Sequence, residues 1–119
     1  MYTILWLSRH IPQEAQIIEL QNKFGKIDVV EKSLVFSNNP NDGAEQIIEL
    51  MQNIGADDIV GVMPIAHVAA LTKRGVHPIR AIMDRKPTGA ILPNGEKEYQ
   101  FEFIKFERIT GVQITSESL

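Results

Sequence analysis

Cysteine is absent from this 119-residue chain, which excludes disulfide frameworks, thiolate zinc sites and cysteine nucleophiles, and makes the redox compartment unreadable from thiol usage. Glycine-rich phosphate loops are missing too. Gly25, Gly55 and Gly61 stand apart, so neither the Walker nor the dinucleotide pattern forms, and NAD and ATP are not expected as cofactors. The three histidines are scattered without a metal-ligand spacing, so no metal and no cofactor is expected. No apolar run approaches the ~18 residues of a spanning helix, and the amino terminus has no basic segment leading into an apolar core and cleavage site. The expectation is a cytoplasmic, soluble protein with no membrane partner. An excess of positive charge is lacking as well: 12 Lys and Arg face 15 Asp and Glu, for a net charge of -3. That balance argues against a sequence-independent grip on long nucleic acid, which needs a broad basic surface. A small anionic ligand held by a few local cations remains compatible with it.

The chain does contain alternating strand-like and helix-like segments without internal repeats, and its length suits one domain with a real core. Tyr2 to Leu7 is a continuous apolar run, the pattern of a strand buried on both faces. Pro12 can open a helix, with Ala15, Ile18 and Phe24 as its apolar stripe and Gly25 closing it. Ile27 to Phe36 reads as a second strand interrupted by Glu31-Lys32-Ser33. The loop Ser37 to Gly43 precedes a helix carrying Ala44, Ile47, Ile48, Met51 and Ile54, capped by Asn41 or Asp42 and stopped by Gly55. Ile59 to Met63 is a third strand, and Pro64 leads into a helix with Ala66, Ala69 and Ala70 that ends at Gly75. His77 to Met83 is a fourth strand. The order βαβαβαβ predicts an α/β, Rossmann-like, mostly parallel sheet with right-handed crossovers.

The last third changes character. Asn94-Gly95 lies between strand-like segments, and Glu98 to Phe106 alternates polar and apolar residues, together a signal for a C-terminal β-hairpin. Tyr99, Phe101 and Phe103 are expected on one face, with Gln100, Glu102 and Ile104 opposite. The hairpin either extends the sheet at its edge or forms a dimer arm. The predicted organisation is a single domain over 1–119, with a core over 1–86 and the hairpin over 87–112; 115–119 is expected to be a frayed end.

Candidate site residues follow from the carboxyl ends of the strands, where such sheets bind ligands. The first strand ends on Ser8, Arg9 and His10: a short donor and acceptor, a planar fork matched to phosphate, and a proton carrier. An ordinary surface junction would carry the same residues. After the third strand, Met63, Pro64 and His67 lie beside a helix amino terminus, which favours phosphate; His67 alone also reads as a structural histidine with a ring nitrogen satisfied by backbone. The fourth strand ends on Asp84, Arg85 and Lys86, otherwise a solvated charge cluster. Asn38, Asn39 and Asn41 on the same edge could hydrogen-bond a nucleobase or simply form a turn.

Taken with its first strand ending in His10, Ile59-Val60-Gly61-Val62-Met63-Pro64, Arg74-Gly75-Val76-His77-Pro78-Ile79, Leu92-Pro93-Asn94-Gly95-Glu96 and Phe103-Ile104-Lys105-Phe106-Glu107-Arg108, the chain resembles a known group. These are small stand-alone CRISPR-associated proteins, relatives of the CARF domain, that bind cyclic oligoadenylate second messengers and include ring nucleases of type III systems. The resemblance spans nearly the full chain in element order and local flavour. It implies a homodimer with a cyclic oligoadenylate, cyclic tetra-adenylate foremost, lying across the twofold axis over the strand ends. Cleavage would proceed without metal, a ribose 2′-hydroxyl attacking its neighbouring phosphate and leaving a 2′,3′-cyclic phosphate, which switches off the signal. Arg9 would then hold phosphate, His10 would transfer a proton or orient the ligand, and Ser8 would contact a phosphate oxygen or the 2′-hydroxyl.

Three alternatives remain at this level. A non-catalytic sensor or sponge needs the same pocket. A histidine phosphatase shares the strand-Arg-His order but carries glycine where this chain has Ile11. An interaction module with no ligand is also compatible, since such folds host many functions.

Overall fold

From Ile4 to Leu7 no side chain is more than 4% exposed, because the strand they form has neighbours on both edges and helices over both faces. A computed structural model describes residues 1–112 and Ser118, so most of the segment expected to fray lies outside the described residues. The elements run β1 (Tyr2–Leu7), α1 (Glu14–Phe24), β2 (Ile27–Lys32), α2 (Pro40–Ile54), β3 (Asp58–Gly61), α3 (Ile65–Lys73), β4 (Ile79–Ile91) and β5 (Lys97–Arg108). The fold is α/β, with one five-stranded sheet in the order β2-β1-β3-β4-β5. β1 pairs in parallel with β2 and β3, and β3 with β4, while β5 returns antiparallel to β4. The hairpin therefore extends the sheet. No helix among the described residues is long and apolar enough to cross a membrane.

Strand alternation sends β1 side chains into two cores. Leu5 and Leu7 pack with Ile59, Ala44 and Ile47 of α2 and Ala70 and Leu71 of α3. Ile4 and Trp6 pack instead with Val60, Ile79, Leu20 of α1 and Phe106 of β5. Complete burial of Ile4, Leu5, Leu20, Ile47, Ile59 and Leu71 contributes about 1.5–3 kcal/mol each. Two helices thus cover one face. On the other, α1 alone faces five strands, and part of β3, β4 and β5 lies beyond its reach.

Several local expectations are corrected. α1 begins at Glu14 rather than Pro12, and its buried positions are Gln16 and Leu20, with Ile18 48% exposed. The expected stripe through Ala15 and Ile18 is rotated, because a glutamine occupies an inward position that composition assigns to an apolar residue. β2 stops at Lys32; Leu34 and Phe36 leave the sheet and pack onto the α2 face. The cap of α2 is Asn39, whose Oδ1 accepts from the N–H groups of Asn41 and Asp42 at 2.9 and 3.2 Å. It wins over Asn41 and Asp42 because Pro40, with no N–H to satisfy, already supplies the first helical position. In α3 the buried residues are His67, Val68, Ala70 and Leu71; of the three alanines expected in this helix Ala70 is buried, Ala69 is half-buried and Ala66 is exposed.

The fourth core strand and the first hairpin arm are one element. β4 runs for 13 residues, so the boundary drawn at 86/87 falls inside it, with Lys86 opposite Gln100 and Pro87 opposite Tyr99. Pro87 is tolerated because β4 meets β3 only at Ile79 and no described residue pairs with that edge farther along. In β5 the register slips between Ile82 opposite Lys105 and Met83 opposite Phe103, leaving Ile104 unpaired as a bulge. That extra residue brings Phe103 and Phe106 to one face, their ring centroids 4.7 Å apart.

Candidate functional site

β1 ends at Leu7 and the chain folds back at once. Ser8 Oγ accepts from the His10 N–H at 3.2 Å, a local turn that competes well with continued strand. The Trp6 indole N–H donates to the His10 carbonyl at 2.8 Å, which satisfies a buried donor and pins the loop over the strand end. Beside it, the Val62 N–H donates to the Leu7 carbonyl at 3.1 Å. Gly61 is required for this approach, since a Cβ there would lie 2.6 Å from the Leu7 oxygen.

Above these two strand ends lies a cavity of about 560 Å³ on the α1 face. Trp6, Val60 and Gly61 form its floor, and Ala81, Met83 and Phe101 of the overhanging hairpin form one wall. Ser8, His10 and Ile11 border it from the β1–α1 loop, Val62 from the end of β3, and Gln13 and Gln16 from the start of α1. The position is where strand order reverses, β1 having β2 on one side and β3 on the other, the crevice in which open α/β sheets bind ligands. The walls are mainly apolar.

Gln16 is the buried polar group of this cavity, 5% exposed. Its Oε1 accepts the Gln13 N–H at 2.8 Å, the backward arm of a capping box. Its Nε2 meets the Met83 sulfur at 3.9 Å.

Of the residues expected from sequence, Ser8 and His10 border the cavity, whereas the exposed Arg9 is not among the residues lining it. Arg85 lies opposite Phe101 on the hairpin, with its guanidinium 3.9 Å from the centre of the Tyr99 ring. Asp84 is exposed on the adjacent position. Met63, Pro64, His67, Asn38 and Asn39 occupy the carboxyl edge on the opposite, α2–α3 face. There Met63 packs on the core and Pro64 precedes α3. His67 is buried, its Nε2 2.8 Å from the Ser37 carbonyl oxygen and its ring edge-on to Phe36. Asn39 caps α2, and Asn38 is exposed. One edge has two faces, and the expected constellation is divided between them.

The sequence reading missed Gln16, Met83 and Phe101. A glutamine three residues after Gln13, at an inward helical position, was the signal for the first; the hairpin residues had none, because their place depends on how far β4 overhangs.

The displaced titrations lie elsewhere. At the amino end of the sheet, Asp58 is 5% exposed and accepts from Arg108 at 2.7 and 3.0 Å and from the Tyr2 hydroxyl at 2.8 Å. Burial, then the Asp58 hydrogen bond, push Tyr2 up to about 12, and the Asp58 bond holds Arg108 above its ordinary value. This network fastens β5 to β1 and β3. On the hairpin surface, Glu102 raises Lys86 and Arg80 lowers Glu107 through exposed ion pairs. No family model matches the chain, nor does any curated protein or solved structure.

Proposed function

We propose that this protein is a Rossmann-like, CARF-related ring nuclease that binds and cleaves a cyclic oligoadenylate, with cyclic tetra-adenylate the expected ring, and so switches off type III CRISPR signalling. The observation that carries the reading is the cavity at the strand-order reversal, bordered by Ser8 and His10, floored by Trp6 and walled by Met83 and Phe101. Apolar walls suit a base and the polar border suits the sugar and phosphate of the same nucleotide. Two cations stand outside it, Arg9 on the loop and Arg85 opposite Phe101, within the neighbourhood a polyanionic ring would cover.

The reaction needs little covalent work from the protein. His10 takes the proton of a ribose 2′-hydroxyl, the oxygen attacks the adjacent phosphorus, and the P–O5′ bond breaks. The products are a 2′,3′-cyclic phosphate and a 5′-hydroxyl that acquires a proton. Arg9 holds the phosphate, Ser8 contacts a phosphate oxygen or the hydroxyl, and in-line positioning supplies much of the rate. A homodimer completes the cradle, each copy presenting the same residues to alternate nucleotides.

Incubation with cyclic tri-, tetra- and hexa-adenylate in EDTA, followed by chromatography with mass detection, tests the reading. One ring is expected to open to cyclic-phosphate products. Arg9→Ala is expected to weaken binding about tenfold, and His10→Ala to slow cleavage 10²- to 10⁴-fold with binding retained. Rings left intact at stoichiometric protein would leave binding alone, and equal affinity losses in both variants would remove His10 from the chemistry.

A further inference from the structure

The cavity and the two cations divide the work of holding a nucleotide. No lysine, arginine, aspartate or glutamate lines the cavity, and neither Arg9 nor Arg85 contributes to the wall. A phosphate placed inside would leave water without a fixed cation to meet it. A flat heteroaromatic ring, by contrast, finds the indole of Trp6, the ring of Phe101 and the polarisable Met83 around it.

Among the residues lining this cavity, Gln16 carries a strong donor with a weak partner. The Gln13 N–H can be satisfied only by an oxygen, so the bond at 2.8 Å identifies Oε1 and fixes which end of the Gln16 carboxamide is the amine. Nε2 carries two hydrogens. The acceptor it meets is the Met83 thioether at 3.9 Å, and Gln16 is only 5% exposed. Buried donors are ordinarily paired, and an acceptor within the cavity would complete this one.

We propose that the cavity receives the adenine base and that Gln16 reads it, Nε2–H donating to a ring nitrogen while the phosphates remain outside with the arginines. The assignment rests on the nucleotide reading above and deepens it. It makes Gln16 a specificity-determining residue placed by α1, not a part of the proton-transfer machinery. The volume of about 560 Å³ lies within the range of small-molecule sites.

The single tryptophan of the chain, Trp6, lines the cavity, so its fluorescence reports occupancy directly. Adenosine 5′-monophosphate is expected to quench it at a concentration at least tenfold below that needed for ribose 5-phosphate. Among the 1-deaza, 3-deaza and 7-deaza analogues of that nucleotide, one is expected to bind about tenfold more weakly to the native protein. The same analogue should show no further loss on Gln16→Leu, which itself binds the parent about tenfold more weakly, the size of one hydrogen bond to a ring nitrogen. Gln16→Glu keeps an acceptor for the Gln13 N–H and provides the same comparison if the leucine variant melts early. The native-protein analogue series needs no variant at all. Equal binding of ribose 5-phosphate and the nucleotide would overturn the base pocket, and three deaza analogues indistinguishable from the parent would overturn the role of Gln16. The two readings separate cleanly: cyclic tetra-adenylate left uncut with deaza discrimination intact removes the nuclease and keeps the pocket, whereas cleavage with no discrimination does the reverse.

Discussion

Gly43 lies in the first turn of α2, where alanine would be the better helix former by about 1 kcal/mol. It is glycine because the His67 ring occupies the space a Cβ would need, and that ring is held by the Ser37 carbonyl at 2.8 Å. Gly43→Ala is therefore expected to lose about 1–2 kcal/mol despite its helix preference, the cost of overpacking a fixed ring. Urea midpoints measure it, and in a His67→Ala background the loss should vanish. A loss of equal size there would show that the His67 ring is not its cause. At this scale the sequence reveals hydroxyls and imidazoles more readily than shape. That Ser8 and His10 stand at a strand end was legible, and both border the cavity, whereas Gln16 hid among better helix-stripe candidates because Ile18 is more apolar yet points outward.

Tyr2 begins β1, Asp58 begins β3 and Arg108 ends β5, so their shared hydrogen bonds connect three elements by their ends. The tyrosine titrates near 10.0 when free and near 12 here. Below pH 10 both folded and unfolded chains hold that proton and the full stability is present; from 10 towards 12 the unfolded chain releases it first, so stability falls as pH rises. Tyrosinate absorbance in a Tyr99→Phe background should show Tyr2 ionising late, and Asp58→Asn should bring it down. Ionisation near 10 in the native protein would contradict the geometry. The strands themselves were legible, β1 from its unbroken apolar run and the hairpin from Asn94-Gly95. The bulge at Ile104 was not, since period-two alternation places Phe103 and Phe106 on opposite faces and one unpaired residue reverses that.

For the whole molecule, βαβαβαβ order identified a mostly parallel sheet correctly, and all the candidate residues before β4 do lie towards its carboxyl edge. Which face each occupies depends on the handed path of the crossovers and on strand order, and neither is written in local periodicity. The same architecture bears on assembly. Among the described residues one edge of β4 is unpaired beyond Ile79, and the hairpin exposes Ile91, Phe101 and Ile104 at 71%, 61% and 50%, features that invite a second copy. Light scattering of the purified chain is expected to give twice the monomer mass, and Ile91→Lys with Ile104→Lys to reduce it to one. A native mass of one chain at micromolar concentration would remove the proposed dimer.

β3 and β4 share a single register pair, Val60 with Ile79, and the cavity straddles that seam, with Val60 and Gly61 on one bank and Ala81, Met83 and Phe101 on the other. Whatever occupies it acts as mortar between two ladders that the backbone barely joins. Affinity and cohesion then become one thermodynamic quantity: each tenfold excess of occupant over its dissociation constant adds about 1.4 kcal/mol against the opening of the sheet.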